Sequence, residues 1–266
     1  MYKDSIKVGI TLSGGGARGI GHIGILQALE ENGVIPDIIL GTSAGAIVGA
    51  FYAAGYSPYK IKELAKQSSL IKVFRLVIPR RGLSRQDYLL RHLLKYLPEN
   101  SFDALEKELY VGVTNLNLGK HEIWNHGDLH RLVLASSSVP GIFTPIEIEG
   151  AFYVDGGVMN NMPAAPIRSK CDFLIGSNVV AKADKSSGEL NGLKSILART
   201  FEISLWYRSH INYDFCDQIL EPPGLNRYNI FNFSKAAQIY DFGYQHAIEK
   251  MPLMIESLEN ILVDTT

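Results

Sequence analysis

Cysteine is scarce in this 266-residue chain. There are two, Cys171 and Cys216, and no Cys-x-x-Cys spacing. A disulfide-rich scaffold is excluded, and the pair reads as free thiols in a reducing, cytoplasmic compartment. An excess of one charge is also missing. Lys and Arg number 26 against 27 Asp and Glu, a net charge of −1. That balance argues against a nucleic acid partner for the whole chain, although a local basic patch remains compatible with it. No secretory leader is legible, because the first apolar run, Val8 to Leu12, is too short for a signal-peptide core. One longer stretch, Ile38 to Tyr59, carries no charge and has Gly41, Gly45 and Gly49 at GxxxG spacing. Its length suits a membrane span. Pro36-Asp37 at its start, its four glycines and the polar Thr42-Ser43 favour a buried strand, a tight turn and a buried helix instead. Internal repeats and interdomain linkers are absent. With 46% apolar residues, a chain this long can bury roughly three quarters of its unfolded surface around a substantial core.

The order of elements is that of an α/β fold. Residues 6–12 alternate and are rich in β-branched side chains, so they read as a strand. A glycine-rich turn follows, then a helix over Ile20 to Asn32 with apolar residues at Ile23, Leu26 and Leu29. Ile38 to Leu40 is a second strand, and Ala44 to Ala54 a second helix. This βαβα start predicts a parallel sheet with helical crossovers. Ser57-Pro58 opens a third helix. Ser84 to Tyr96 is another, with Ser84 and Asp87 placed as a capping pair. Hairpins are expected at 110–124 and at 146–154, a strand at 172–179, and helices at 193–212 and 234–250, the last broken by Pro252. The whole chain, 1–266, reads as one domain.

Three glycine-rich constellations stand out. Gly14-Gly15-Gly16-Ala17-Arg18-Gly19 fits GxGxxG between a strand and a helix, the setting of a dinucleotide site. Such a site also needs an acid at the end of the second strand. Asp37 precedes that strand instead, and no other acid occurs before Glu63. A Walker A loop is excluded, because no Lys-Ser/Thr pair follows the glycines. What remains is a run of small residues whose backbone N–H groups form an anion-binding concavity at a helix N-terminus. Gly41-Thr42-Ser43-Ala44-Gly45 is GxSxG between a buried strand and a helix. A one-residue strand-to-helix turn strains the serine and needs Gly41 and Gly45 on either side, where larger side chains would collide. Ser43 is the candidate nucleophile; the alternative is a helix N-cap. Val154-Asp155-Gly156-Gly157 places a carboxylate at the end of an apolar strand, at the same sheet edge as Ser43, where open α/β sheets form their sites.

A serine nucleophile requires a base. His210 and His246 follow Asp155 in the order of a hydrolase triad, but both lie in helical patterns rather than loops. His126 and His130 are four apart, yet no HExxH accompanies them, and Asp128 reads as a helix cap, so no metal is expected. His22, His92 and His121 have no companions. Asp241-Phe242-Gly243 matches a kinase signature whose other motifs are absent. Asp155 is left as a base acting directly on Ser43, its pKa raised by burial. The amides of Gly14, Gly15 and Gly16 would form an oxyanion hole. Arg18 would support that loop or add positive potential, or else stand as a surface charge at a helix start.

The ordered set Gly-Gly-Gly-Ala-Arg-Gly, Gly-Thr-Ser-Ala-Gly and Asp-Gly-Gly resembles the patatin-like phospholipase family. The likeness extends to Ala135 through Phe143 and to Asn160-Asn161-Met162-Pro163, covering roughly residues 5–180. One departure is Gly-Gly after Asp155, where many relatives have Gly-Ala. The resemblance implies a three-layer α/β/α fold with a mostly parallel central sheet; beyond it, the C-terminal helices within 193–262 are expected to pack on or cap the core. It also implies a Ser43–Asp155 dyad without histidine, an oxyanion hole in the glycine loop, and no metal or cofactor. The implied activity is ester hydrolysis on acyl lipids or phospholipids. An acyltransferase using the same residues, and a non-enzymatic nucleotide- or lipid-binding module, are the alternatives. The basic and apolar segment Lys72 to Arg81 is a candidate for peripheral contact with a membrane, or else a half-buried element under a loop. Ala181 to Gly192 is a candidate lid or a solvated connection.

Overall fold

The computed structural model describes residues 6–67, 86–230 and 233–264. The strands are β1 Val8–Leu12, β2 Ile38–Thr42, β3 Glu108–Asn115, β4 Lys120–Trp124, β5 Ile146–Ile148, β6 Ala151–Asp155, β7 Phe173–Ser177 and β8 Gln218–Leu220. The helices are α1 Ile20–Glu31, α2 Ala44–Ala53, α3 Pro58–Gln67, α4 Asp87–Tyr96, α5 Leu129–Ser136, α6 Ala165–Arg168, α7 Leu193–His210 and α8 Ala236–Asp264. Ser84 and the Lys72–Arg81 segment lie outside the described residues.

The sheet runs β5-β6-β3-β2-β1-β7-β8, with β4 also paired to β3. The five strands from β3 to β8 are mutually parallel, as the βαβα start requires. β4 and β6 join β3 antiparallel, and β5 pairs with β6 in the expected short hairpin. The central strands are buried along their whole length, and their side chains alternate between two faces as a pleat demands. Val8, Ile10, Leu12, Ile39, Leu109, Val111, Phe173 and Ile175 face one core, shared with buried residues of α1, α2, α3, α4, α5 and α8. Ile38, Leu40, Tyr110 and Leu174 face the other way. That second face is covered more thinly, by Ala164 and Ile167 around α6 and by Cys171. The result is a mixed, mostly parallel sheet with helices on both faces.

β3 sets the geometry of the site. β4 pairs with residues 111–115 of β3. β2 pairs with 108–112 and β6 with 113–115. Each overlaps β4, so both must lie on the opposite side of β3 from it. β2 and β6 therefore run toward each other along one side of β3 and stop at adjacent positions, Thr42 opposite Gly112 and Asp155 opposite Val113. The sequence reading placed Asp155 on a strand sharing the C-terminal edge with β2. In fact β6 is antiparallel and meets β2 end to end.

The uncharged stretch from Ile38 is β2 and α2, fully buried in the core. No helix among the described residues is long and apolar enough to cross a membrane. The helix expected to break at Pro252 continues to Asp264. Interior proline costs about 3 kcal/mol, but Met251, Met254 and Leu258 are buried on both sides of it. Packing of both halves outweighs the lost hydrogen bond. The Asp241-Phe242-Gly243 triplet belongs to this helix as well. A Cβ on Gly243 would sit 2.1 Å from the Gly21 carbonyl oxygen of α1, and one on Gly24 the same distance from that of Tyr240. Glycine at these positions lets α1 and α8 touch backbone to backbone. Gly243→Ala should force the helices apart at a cost of about 1–3 kcal/mol, seen as a Tm fall of several degrees in a thermal melt. Gly188→Ala, in open space, should leave Tm nearly unchanged.

Candidate active site

Ser43 follows β2 directly and precedes α2. Its φ is 54° and ψ −120°, one of only two non-glycine residues with positive φ among those described. Such a backbone costs about 1–3 kcal/mol and persists only where surroundings enforce it. Here they do. The Ser43 amide donates to Ser136 Oγ at 2.8 Å, and Ser136 Oγ donates to the Gly112 carbonyl at 2.7 Å. The Ser43 carbonyl accepts the first bonds of α2, from Ala46 and Ile47. A Cβ on Gly45 would fall 2.2 Å from the Leu12 carbonyl oxygen, and one on Gly41 2.5 Å from that of Gly45. Both glycines of the motif are therefore required by close backbone approach.

Asp155 meets Ser43 from the end of β6. Ser43 Oγ donates to Asp155 Oδ2 at 2.6 Å, and the Gly157 amide donates to Oδ1 at 2.8 Å. The Asp155 backbone is held too: its amide donates to the Ser138 carbonyl, and its carbonyl accepts from Thr114 Oγ1. Gly156 packs so tightly that a Cβ would lie 2.4 Å from the Gly112 carbonyl oxygen. Ser43 and Asp155 are both buried, at 5% and 3% exposure. Burial raises the Asp155 carboxyl to about 6, against the opposing hydrogen bonds from Ser43 and Gly157.

The glycine loop lies beside this pair. A Cβ on Gly14 would come within 3.1 Å of Ser43 Cβ. Of the three amides expected to face an oxyanion, that of Gly14 is already committed to the Asn161 carbonyl at 3.1 Å. Those of Gly15 and Gly16 have no acceptor among the described residues. The Arg18 side chain is turned elsewhere. It is buried and donates to the Tyr228 and Asn226 carbonyls and to Glu202 at 2.8 Å, tying the loop to α7 and to the chain that follows β8. It does not line the cavity over Ser43.

Several supporting residues escaped the sequence reading. His22 is fully buried on α1. Its Nε2 donates to the Ser13 carbonyl at 2.9 Å, which can only accept, so Nδ1 accepts from Ser177 Oγ at 2.7 Å. Burial lowers its pKa to about 4, so it is a neutral brace under the glycine loop. Ser136 sits in a run of three serines within the Ala135 to Phe143 stretch of the family likeness, which marked the segment but not this role. Asn161 donates to Ser209 Oγ of α7 at 2.9 Å, while its Oδ1 has no partner among the described residues.

The remaining histidines stay apart from Ser43. His210 stacks on Trp206 and His246 lies 3.9 Å from Glu249; neither lines the cavity. His130 Nε2 is bonded to the Leu97 carbonyl, Asp128 caps α5, and no metal-binding cluster occurs among the described residues. Asp37 binds the Val8 amide at the far end of β2 from the glycine loop, out of reach of a dinucleotide there.

A cavity opens over Ser43 and Asp155. Its apolar walls are Val139, Ile142 and Phe143 after α5, Phe201 and Leu205 of α7, and Ile230. No residue of 181–192 lines it; α7 does.

The raised Asp155 carboxyl has a stability consequence. The unfolded group ionises near 3.8 and the folded one near 6. Stability from this group is therefore full below 3.8 and lost as pH rises to about 6, on the order of 3 kcal/mol in total. Asp155→Asn removes that loss. Its Tm relative to wild type should be higher at pH 8 than at pH 3.5, as read by paired thermal melts.

The chain is similar to several known proteins. The chain is 28% identical to the lysophospholipase NTE1 of Saccharomyces cerevisiae, over 96% of this chain and 18% of that protein. It is 32% identical to the lysophospholipase nte1 of Neurospora crassa, over 68% of this chain and 12% of that one. The chain thus spans under a fifth of the length of these curated relatives. The crystal structure of VipD from Legionella pneumophila shares the fold, with a TM-score of 0.54 at 16% identity over 89% of this chain and 67% of that one. The family model for patatin-like phospholipase matches residues 10–167, more than half of the chain, including Ser43, Asp155 and the glycine loop. The chain belongs to the patatin-like phospholipase family.

Proposed function

We propose that the chain hydrolyses fatty-acyl esters of lipids, with Ser43 as nucleophile and Asp155 as its base. The 2.6 Å contact between Ser43 Oγ and Asp155 Oδ2, in a buried site beside two free backbone amides, carries this reading. An ionised Asp155 takes the Ser43 proton as Oγ attacks the ester carbonyl. The amides of Gly15 and Gly16 hold the oxyanion, each such donor typically contributing about 3–4 kcal/mol. The protonated Asp155 gives its proton to the departing alcohol. Water then attacks the acyl-serine, Asp155 accepts a proton from it, and that proton returns to Ser43 as the fatty acid leaves. A carboxyl near 6 is a better base than a solvated one and is still ionised at neutral pH. The apolar walls of the cavity suit an acyl lipid. A lysophospholipid is the substrate class that the names of the relatives favour.

The enzyme works from the surface of a lipid aggregate, in the cytoplasm, where its two unpaired cysteines suit a reducing medium. α7, which lines the cavity with Phe201 and Leu205, exposes Leu193, Ile196, Leu197, Ile203 and Tyr207 on its outer side. Their helical spacing makes one stripe beside the cavity, the pattern of a helix that lies on a membrane.

A fluorophosphonate probe should label Ser43, mapped by peptide mass spectrometry, with labelling lost in Ser43→Ala and slowed at least 100-fold in Asp155→Asn. No label on folded wild-type protein, with and without detergent, would overturn the dyad. The kcat/KM profile should show one acid limb centred near pH 6 and a plateau above it, because only ionised Asp155 accepts the proton. A limb near the unperturbed carboxylate range would contradict a buried base. Leu197→Asp with Ile203→Asp should cut binding to phosphatidylcholine–phosphatidylglycerol vesicles at least tenfold in a sedimentation assay. Unaltered sedimentation would place the lipid contact elsewhere.

A further inference from the structure

A second cavity lies behind the nucleophile, and the mechanism above makes no use of it. Two helices form it, and both begin at the site. α2 starts at Ala44, directly after Ser43, and presents Ala44, Ile47, Val48 and Phe51 to the cavity. The glycine loop and α1 present Gly16, Gly19, Ile20 and Ile23. Each set steps by three or four residues, so each is one stripe running away from a helix N-terminus. The far side is closed by Ile61 and Ala65 of α3 and by Phe233.

The order of residue sizes along the slot is informative. At the end nearest Ser43 stand Gly16, Gly19 and Ala44. A Cβ on Gly19 would come within 2.4 Å of Ala44 Cβ, so Gly19 packs directly on the Ala44 methyl, which forms the floor of the slot there. Further along stand Ile23, Val48 and Phe51. From Ala44 to Phe51 the helix advances about 10 Å. Every lining side chain is apolar. Gly16 lines both cavities, so the slot begins at a residue whose amide the mechanism above assigns to the oxyanion.

We propose that this slot is the acyl-chain site. The ester carbonyl sits at Ser43 and the amides of Gly15 and Gly16, and the hydrocarbon tail runs between α1 and α2 toward Phe51 and Ala65. The cavity over Ser43, roofed by α7, is left to the alcohol side of the substrate. This assignment rests on the acyl-hydrolase reading and deepens it. It makes Val48 and Ala65 determinants of chain length.

The test compares kcat/KM for p-nitrophenyl butanoate and dodecanoate. Each methylene that enters the slot should raise kcat/KM in wild type about fourfold, the equivalent of about 0.8 kcal/mol, until the slot is full. In Val48→Phe the dodecanoate-to-butanoate ratio should fall at least tenfold. Ala65→Phe, at the far end, should lower the same ratio and decides the matter if Val48→Phe does not fold. A ratio within twofold of wild type in folded variants would overturn the assignment. So would a tenfold fall produced instead by Leu205→Trp in the cavity over Ser43. Failure of the underlying reading looks different, because wild type would then lack Ser43-dependent turnover of both esters. In that case dodecanoate binding to Ser43→Ala, measured by calorimetry, still reads the slot. Binding weakened at least tenfold by the added Val48→Phe substitution supports it, and unchanged or undetectable binding overturns it.

Discussion

The site depends on one contact in the sheet, the end-to-end meeting of β2 and β6 along the same side of β3. Two strands that approach from opposite directions and stop at adjacent positions bring their terminal residues within hydrogen-bond reach. Ser43 follows Thr42, opposite Gly112, and Asp155 lies opposite Val113. The register leaves no latitude, because a one-residue slip of β6 would turn the carboxylate to the other face of the sheet. Several bonds guard it. Ser136 spans from the Ser43 amide to the Gly112 carbonyl, Thr114 holds the Asp155 carbonyl, and Ser138 takes the Asp155 amide. The proposed dyad, which has no histidine, would need this precision, since no intervening ring could absorb a shift between Ser43 and Asp155.

Two features of the site oppose folding. The Ser43 backbone is held in a left-handed conformation, and the Asp155 carboxyl is buried without a cationic partner among the described residues. The first costs about 1–3 kcal/mol and the second up to about 3 at neutral pH. Together they are comparable with the net stability of a typical domain. The surrounding shell is correspondingly complete. His22 braces Ser13 and Ser177 in one fixed tautomer, and Arg18 ties the loop to Glu202, Asn226 and Tyr228. The large apolar core on one face of the sheet offsets the rest. The same desolvation that weakens the native state brings the carboxyl toward neutral pH, so the instability and the basicity have one cause.

Local chemistry was largely legible in the sequence, and long-range geometry was not. GxSxG between a buried strand and a helix identified Ser43, because only small flanking residues permit that turn. The hairpin at 146–154 was readable from Glu149-Gly150. The direction in which β6 enters the sheet was not, since an apolar strand reads the same in parallel and antiparallel pairings. The glycine loop suggested three free amides, but the use of Gly14 by Asn161 requires residues 147 positions apart to meet. Arg18 looked available for the site because nothing local to it reveals Glu202. Pro252 carried a sound local rule that burial of Met251 and Met254 overrode. In each case the missing information was a tertiary partner.

The glycines that make the site recognisable have a further consequence for its shape. Gly41 and Gly45 let α2 press on β2 and β1, Gly16 lets the loop press on the Ile230 carbonyl, and Gly19 lets the start of the first helix press on Ala44 of α2. Close approach at the N-termini exposes backbone amides where negative charge develops. Side chains grow larger along both helices, so the space between them is walled by hydrocarbon as distance from the amides increases. An ester has the same gradient, from a carbonyl that gains charge in the transition state to a tail that never does. Stabilisation of the oxyanion acts on the rate, whereas burial of the tail acts alike on bound substrate and transition state. Under the proposed mechanism and acyl site, chain selectivity and catalytic power fall at opposite ends of the same pair of helices, and substitutions far along α2 should alter the first with little leverage on the second.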